Sequence, residues 1–234
     1  MLARIVAGVS VIAVLMLASS GPGTRLGVWE WQAGFTLLRW ALYVGLGAAA
    51  VALVLLIIPK TRRSGAAWLG VALVLGLVAG APVLGLRSQA ESLPRIHDIS
   101  TDMRDPPVFA ALMPIRKSVP NGADYGGPDV AAAQAKGYPD IRPLQLNLAP
   151  PRAFERALEA ARAMGWEVAA SDANAGRIEA TATTSWFGFK DDIIVRVTPD
   201  GAGSRIDVRS VSRVGKSDIG ANARRVREYL SKLT

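Results

Sequence analysis

Apolar positions follow two regimes along the chain. Up to about residue 86 they form long runs, with no charged residue between Arg4 and Arg25, between Arg39 and Lys60, or between Arg63 and Arg87. An uncharged run of about twenty residues, coiled as a helix, crosses a hydrocarbon layer of roughly 30 Å. The pattern predicts membrane helices at about 5–20, 35–58 and 66–86. From residue 144 the runs give way to alternation: Leu144, Leu146 and Leu148, then segments at 166–170, 176–184, 191–198 and 205–212, read as strands separated by Gly-containing turns. Phe154, Leu158 and Ala161 recur at helical spacing, as do Ile219, Ala223, Val226, Leu230 and Leu233. The order β-α-β-β-β-β-α predicts an α+β fold with one antiparallel sheet and both helices on one of its faces.

Between these regimes, residues 95–143 are rich in proline, which prevents long helices and central strands. Phe109, Leu112, Met113, Ile115, Tyr125, Tyr138 and Ile141 give this segment too many apolar anchors for a solvated spacer. It is expected to wrap the domain that follows, with a helix at Asp129–Lys136 as its one regular element. The chain thus divides into a membrane part at 1–94, a wrapping segment at 95–143 and an α+β domain at 144–234.

Strand alternation also assigns the sheet's faces. Ile178, Ala180, Ala182, Ile193, Val195, Val197, Ile206 and Val208 point to the helices, while Arg177, Glu179, Asp192, Arg196, Asp207 and Arg209 point away. The second set forms a candidate polar face, a cross-strand lattice that is either solvated or covered by the Pro-rich segment. Asp191 and Asp192 are paired only in sequence, because neighbouring strand residues face opposite sides.

Charge changes the picture less than its total suggests. Of the net +8, residues 1–94 hold seven Lys/Arg against two Glu. More than half the excess therefore flanks the membrane helices, which argues against nucleic acid as a partner. Lys60, Arg62 and Arg63 form the densest basic cluster, read as a cytoplasmic loop by the positive-inside rule. The expected topology is an N-terminus inside and a C-terminal domain outside the cytoplasmic membrane, in a periplasm where there is one. Ala18-Ser19-Ser20-Gly21 also resembles a signal-peptidase site, so the first helix is either uncleaved or removed, with the same topology.

Candidate chemistry is sparse. The chain has no cysteine and one histidine, His97, which excludes disulfides, thiol nucleophiles and Cys-ligated metals and leaves any His-based triad one possible member. Asp98, Asp102 and Asp105 match no cation-binding loop and read as turn and capping residues. No metal or cofactor is expected, and no phosphate-loop, dinucleotide or nucleophile-elbow pattern occurs. The turn before the last helix is the candidate anion or partner site: Arg213 and Lys216 flank a helix start that Ser217 or Asp218 can cap, with Gly220 allowing close approach and Asn222 in the first helical turn. Trp186, Phe187 and Phe189 form an aromatic hairpin turn, expected to pack on the Pro-rich segment or to meet the bilayer interface or a partner.

The runs Ile178-Glu179-Ala180-Thr181, Trp186-Phe187-Gly188-Phe189-Lys190-Asp191-Asp192, Asp207 through Asp218 and Gly220-Ala221-Asn222 together resemble the domain of unknown function 1499 family. The likeness begins near Ile96 and excludes the membrane helices. It implies an envelope-associated domain and carries no activity to any residue. The expected function is a membrane-anchored, non-catalytic binding module for an envelope protein, an anion or a lipid headgroup. The alternative is a hydrolase or transferase acting on envelope material.

Overall fold

The computed structural model describes residues 1–234, which divide into two compact units. The first contains Met1–Glu91 together with Ser185–Gly188. Its helices are α1 (Leu2–Arg25), α2 (Trp31–Ile57) and α3 (Pro59–Ser92). All three are long and apolar enough to cross a membrane. The basic cluster lies in a helix, where the sequence predicts a loop. Proline at the first position is compatible with a helix start, because its missing N–H would be unpaired there, so Pro59 opens α3 and Lys60, Arg62 and Arg63 fill its first turns before a break at Gly65. Ala3 lies against Gly65, and the Arg4 guanidinium stands 5.7 Å from the Trp68 ring, which gathers the basic residues at one end of the unit.

Small residues let these helices approach. A Cβ on Gly76 would collide with the Gly45 carbonyl, and one on Gly80 with the Leu46 side chain, so the Gly76-x-x-x-Gly80 spacing serves contact between α2 and α3 within the chain. The buried Ser10 hydroxyl donates to the Ala72 carbonyl at 2.9 Å, joining α1 to α3.

The second unit, Ser92–Thr184 with Phe189–Thr234, holds a six-stranded sheet. Its strands are β1 (Asp98–Ser100), β2 (Leu144–Leu146), β3 (Glu167–Asp172), β4 (Arg177–Thr183), β5 (Lys190–Asp200) and β6 (Gly203–Ser212). The order is β1-β6-β5-β4-β3, all antiparallel. On the side of β6 away from β5, β1 pairs with residues 209–211 and β2 with residues 204–206. Helices α6 (Pro150–Ala163) and α7 (Ala221–Ser231) bury their apolar sides against the inward residues of β4, β5 and β6, and these form one core. Within it Tyr229 stacks on Trp166 and donates its buried hydroxyl to the Ala157 carbonyl at 2.8 Å, tying α7 to α6.

The Pro-rich segment holds more regular structure than its sequence predicts. Besides α5 (Gly127–Gly137), it contributes β1 and the six-residue helix α4 (Met113–Ser118). The Gln134 side chain on α5 donates to the Ser100 carbonyl at 2.6 Å and accepts from the Ser100 N–H at 3.0 Å, finishing the outer edge of β1 as a further strand would.

Candidate functional site

The face of the sheet turned away from α6 and α7 carries the polar set. Register places Thr181 opposite Asp192, Arg196 opposite Asp207, and Ile194 between Glu179 and Arg209. This face is covered: Phe109 and Leu112 pack on Ile194 and Val211 in a small second core, and the charged side chains beneath are mostly buried. A charge taken out of water must be paired or hydrogen-bonded, and the pairing here is extensive.

The Glu179 carboxylate accepts the backbone N–H groups of Ala110 at 2.8 Å, Ala111 at 3.0 Å and Leu112 at 2.8 Å, and meets Arg177 at 3.1 Å. Asp192 is gripped by Arg213, with Nε at 3.0 Å and Nη2 at 2.8 Å, and accepts the Thr181 hydroxyl at 2.8 Å. Arg116 reaches the same carboxylate through Nη1 at 3.3 Å. Arg209 holds Asp98 bidentately at 3.0 and 2.8 Å, donates to the Pro107 and Ala123 carbonyls, and lies against the rings of Phe109 and Tyr125. Asp207 is shared by Arg196 and Arg205, which extend to Asp105 and Asp102. Burial pushes the Arg116 guanidinium below its ordinary value, with the Asp192 charge opposing the shift. Burial likewise raises the Tyr125 hydroxyl to about 12.

Asp98 is thus the buried counterion of Arg209, where sequence had suggested only a turn or capping role. Asp102 does take a turn role, accepting the N–H groups of Arg104 and Asp105, while also pairing with Arg205. Arg116 was missed altogether. Nothing in Met-Pro-Ile-Arg-Lys-Ser marks its one arginine as buried, because helix periodicity cannot be read over so few residues.

The turn before α7 separates its candidate residues. Arg213 turns to the sheet and Asp192, whereas Lys216 is exposed. Gly220, rather than Ser217 or Asp218, takes the N-cap position of α7; Asp218, two residues earlier, accepts the N–H of Gly220 at 2.9 Å and of Asn222 at 2.7 Å, so its carboxylate still occupies the helix start. Ser217 accepts only the Ile219 N–H, at 3.3 Å. Ile219 and Gly220 both have positive φ, 51° and 73°, and a Cβ on Gly220 would crowd the Tyr138 hydroxyl and Leu93. Asn222 is buried and donates to the His97 carbonyl and the Ser212 hydroxyl, both at 2.9 Å. Burial raises the Asp218 carboxyl, opposed by the hydrogen bonds from Asn222 and Gly220. Replacing Asp218 with alanine should cost about 1 kcal/mol, the usual loss of a helix cap, measured by chemical unfolding of the full chain. No loss would mean that the cap is idle.

The aromatic turn is also divided. Phe189 closes the hairpin, its N–H bonded to the Thr184 hydroxyl at 2.9 Å. Trp186 and Phe187 belong to the first unit. Phe187 stacks on Phe35 at 5.1 Å, Trp186 fits where Gly21 leaves room on α1, and Arg25 donates to the Ser185 carbonyl. A shallow concavity of about 710 Å³ lies elsewhere, lined by Arg142, Gln145, Thr198, Asp200 and Arg205.

Fold and site define a class: a protein with three candidate membrane helices and an α+β domain whose sheet carries a covered ion-pair lattice. The model of the family described as "Protein of unknown function (DUF1499)" matches residues 98–233, and the chain belongs to that family. No curated protein matches it. Among solved structures it is similar to the crystal structure of TTHA0849 from Thermus thermophilus, at 14% identity over 39% of this chain and 90% of that one, with a TM-score of 0.25.

Proposed function

We propose that the protein is an integral envelope protein whose domain from Ser92 onward works outside the cytoplasm as a non-catalytic interaction module. The observation that carries this reading is the saturation of the polar face: Asp98, Glu179, Asp192 and Asp207 are each buried and held by arginine, by backbone N–H groups or by both. A general acid or base must reach a substrate proton within hydrogen-bond distance, and these carboxylates are committed beneath a covering segment. Recognition then falls to the outer surface, where the concavity offers Arg142 to an acidic component such as a lipid headgroup or a partner's carboxylates.

The test offers the full chain in nanodiscs to fractionated envelope extract. Saturable retention of an acidic component, unchanged in mass and weakened by Arg142→Ser, is the expected result. Time-dependent conversion of any component by the unmodified chain, absent with empty nanodiscs, would favour the hydrolase or transferase reading instead.

Orientation is supported by the gathering of Arg4, Lys60, Arg62 and Arg63 at one end of the helical unit, since such an end is retained in the cytoplasm. Three crossings then put the C-terminus outside. A reporter active only outside the cytoplasm, fused after Thr234, should give signal, and a cytoplasm-only reporter fused there should stay silent. The reverse pair of results inverts the topology.

A further inference from the structure

Arg116 enters the polar layer without an acid of its own. Arg213 takes Asp192 through both Nε and Nη2, leaving Arg116 a single 3.3 Å contact with that carboxylate. Asp98 is held bidentately by Arg209, and Glu179 is filled by three backbone N–H groups and Arg177. The remaining hydrogen bonds of Arg116 are long ones from Nη1 to the Val211 and Ser212 carbonyls, at 3.3 and 3.4 Å, and its guanidinium lies over the Phe109 ring at 5.7 Å. Its side chain has no solvent exposure, yet Nε and Nη2 have no hydrogen-bond partner.

Those two nitrogens share one edge of the guanidinium. Their N–H bonds run parallel, and this is the edge that pairs bidentately with two oxygens of a planar anion. A buried cation with that edge unfilled and its only carboxylate shared is strongly disfavoured until a counter-charge arrives. We propose that the Nε/Nη2 edge of Arg116 is the seat of one small planar oxyanion, of formate or nitrate size, which gives Arg116 a partner of its own and holds α4 against the sheet. Complete burial decides the size class: a partner's side chain or a lipid headgroup has no route to the edge. The anion enters when α4, only six residues long, lifts from the sheet.

The experiment uses the full chain in nanodiscs of neutral lipid, at constant ionic strength, with gluconate replaced stepwise by formate or nitrate. Melting temperature should rise and saturate, and the amides of residues 113–118 should exchange about tenfold more slowly at a tenfold excess over the half-saturating concentration. Arg116→Lys keeps the charge but lacks the two-donor edge, and should lose both effects. A flat response in the unmodified chain, as expected if water alone occupies the edge, overturns the proposal. So does an equal response in Arg116→Lys, which would make the effect that of an adventitious ion only. Should Arg116→Lys fail to fold, the exchange measurement on the unmodified chain decides: slowing throughout the domain without added protection at 113–118 also overturns it.

Discussion

Replacing Asp192 with alanine is expected to destabilise the domain by about 3–5 kcal/mol, the scale found when one member of a buried ion pair is removed. One carboxylate here serves Arg116, Arg213 and the Thr181 hydroxyl, so its loss strands two guanidinium groups, one of them fully buried. The attraction given up is only part of the cost. The larger part is leaving the two cations without the carboxylate that neutralises them, the fully buried Arg116 above all. Chemical unfolding of the full chain measures it. A loss below about 1 kcal/mol would show that water reaches this face and that the layer is not sealed.

The second large effect is expected at Arg209. Its guanidinium is buried, holds Asp98 with two hydrogen bonds, donates to two backbone carbonyls and lies against Phe109 and Tyr125. Arg209→Met should again cost about 3–5 kcal/mol, because Asp98 and two carbonyls lose their donor together. Adding Asp98→Leu should recover part of that loss, since a buried pair replaced by apolar residues of similar volume is often nearly neutral. A double variant that instead sums the two single losses would mean that the residues do not couple, contrary to their geometry.

These effects concentrate in the part of the molecule that sequence displayed least. The strands were legible because apolar residues recur at every second position, Ile178, Ala180 and Ala182 on β4 sharing a face with Ile193, Val195 and Val197 on β5. The same alternation picked out Glu179, Asp192, Arg196, Asp207 and Arg209 as one face. It could not say that the face is sealed, because burial of a charge depends on partners from distant sequence. Asp98 lies over a hundred residues from Arg209, and Arg116 lies 76 from Asp192. β1 has three residues and α4 six, too few for either period to declare itself. The separation of Phe187 from Phe189 was hidden for a related reason, since its cause is the stacking partner Phe35 in another part of the chain.

The position of β6 has a consequence for the order of events in folding. β5 lines one side of it, while the other side is shared by β1 and β2, short strands from far earlier in the chain. Neither has another strand to pair with, so both must wait unpaired until residues 203–212 arrive. Contacts of such long sequence separation carry a high loop-closure cost and slow the search for the native state. The domain therefore cannot assemble progressively from its N-terminal end as it is made. A chain shortened to end before β6 would retain β3, β4 and β5 as a meander, but its wrapping segment would have neither a strand edge nor Arg209 to close upon.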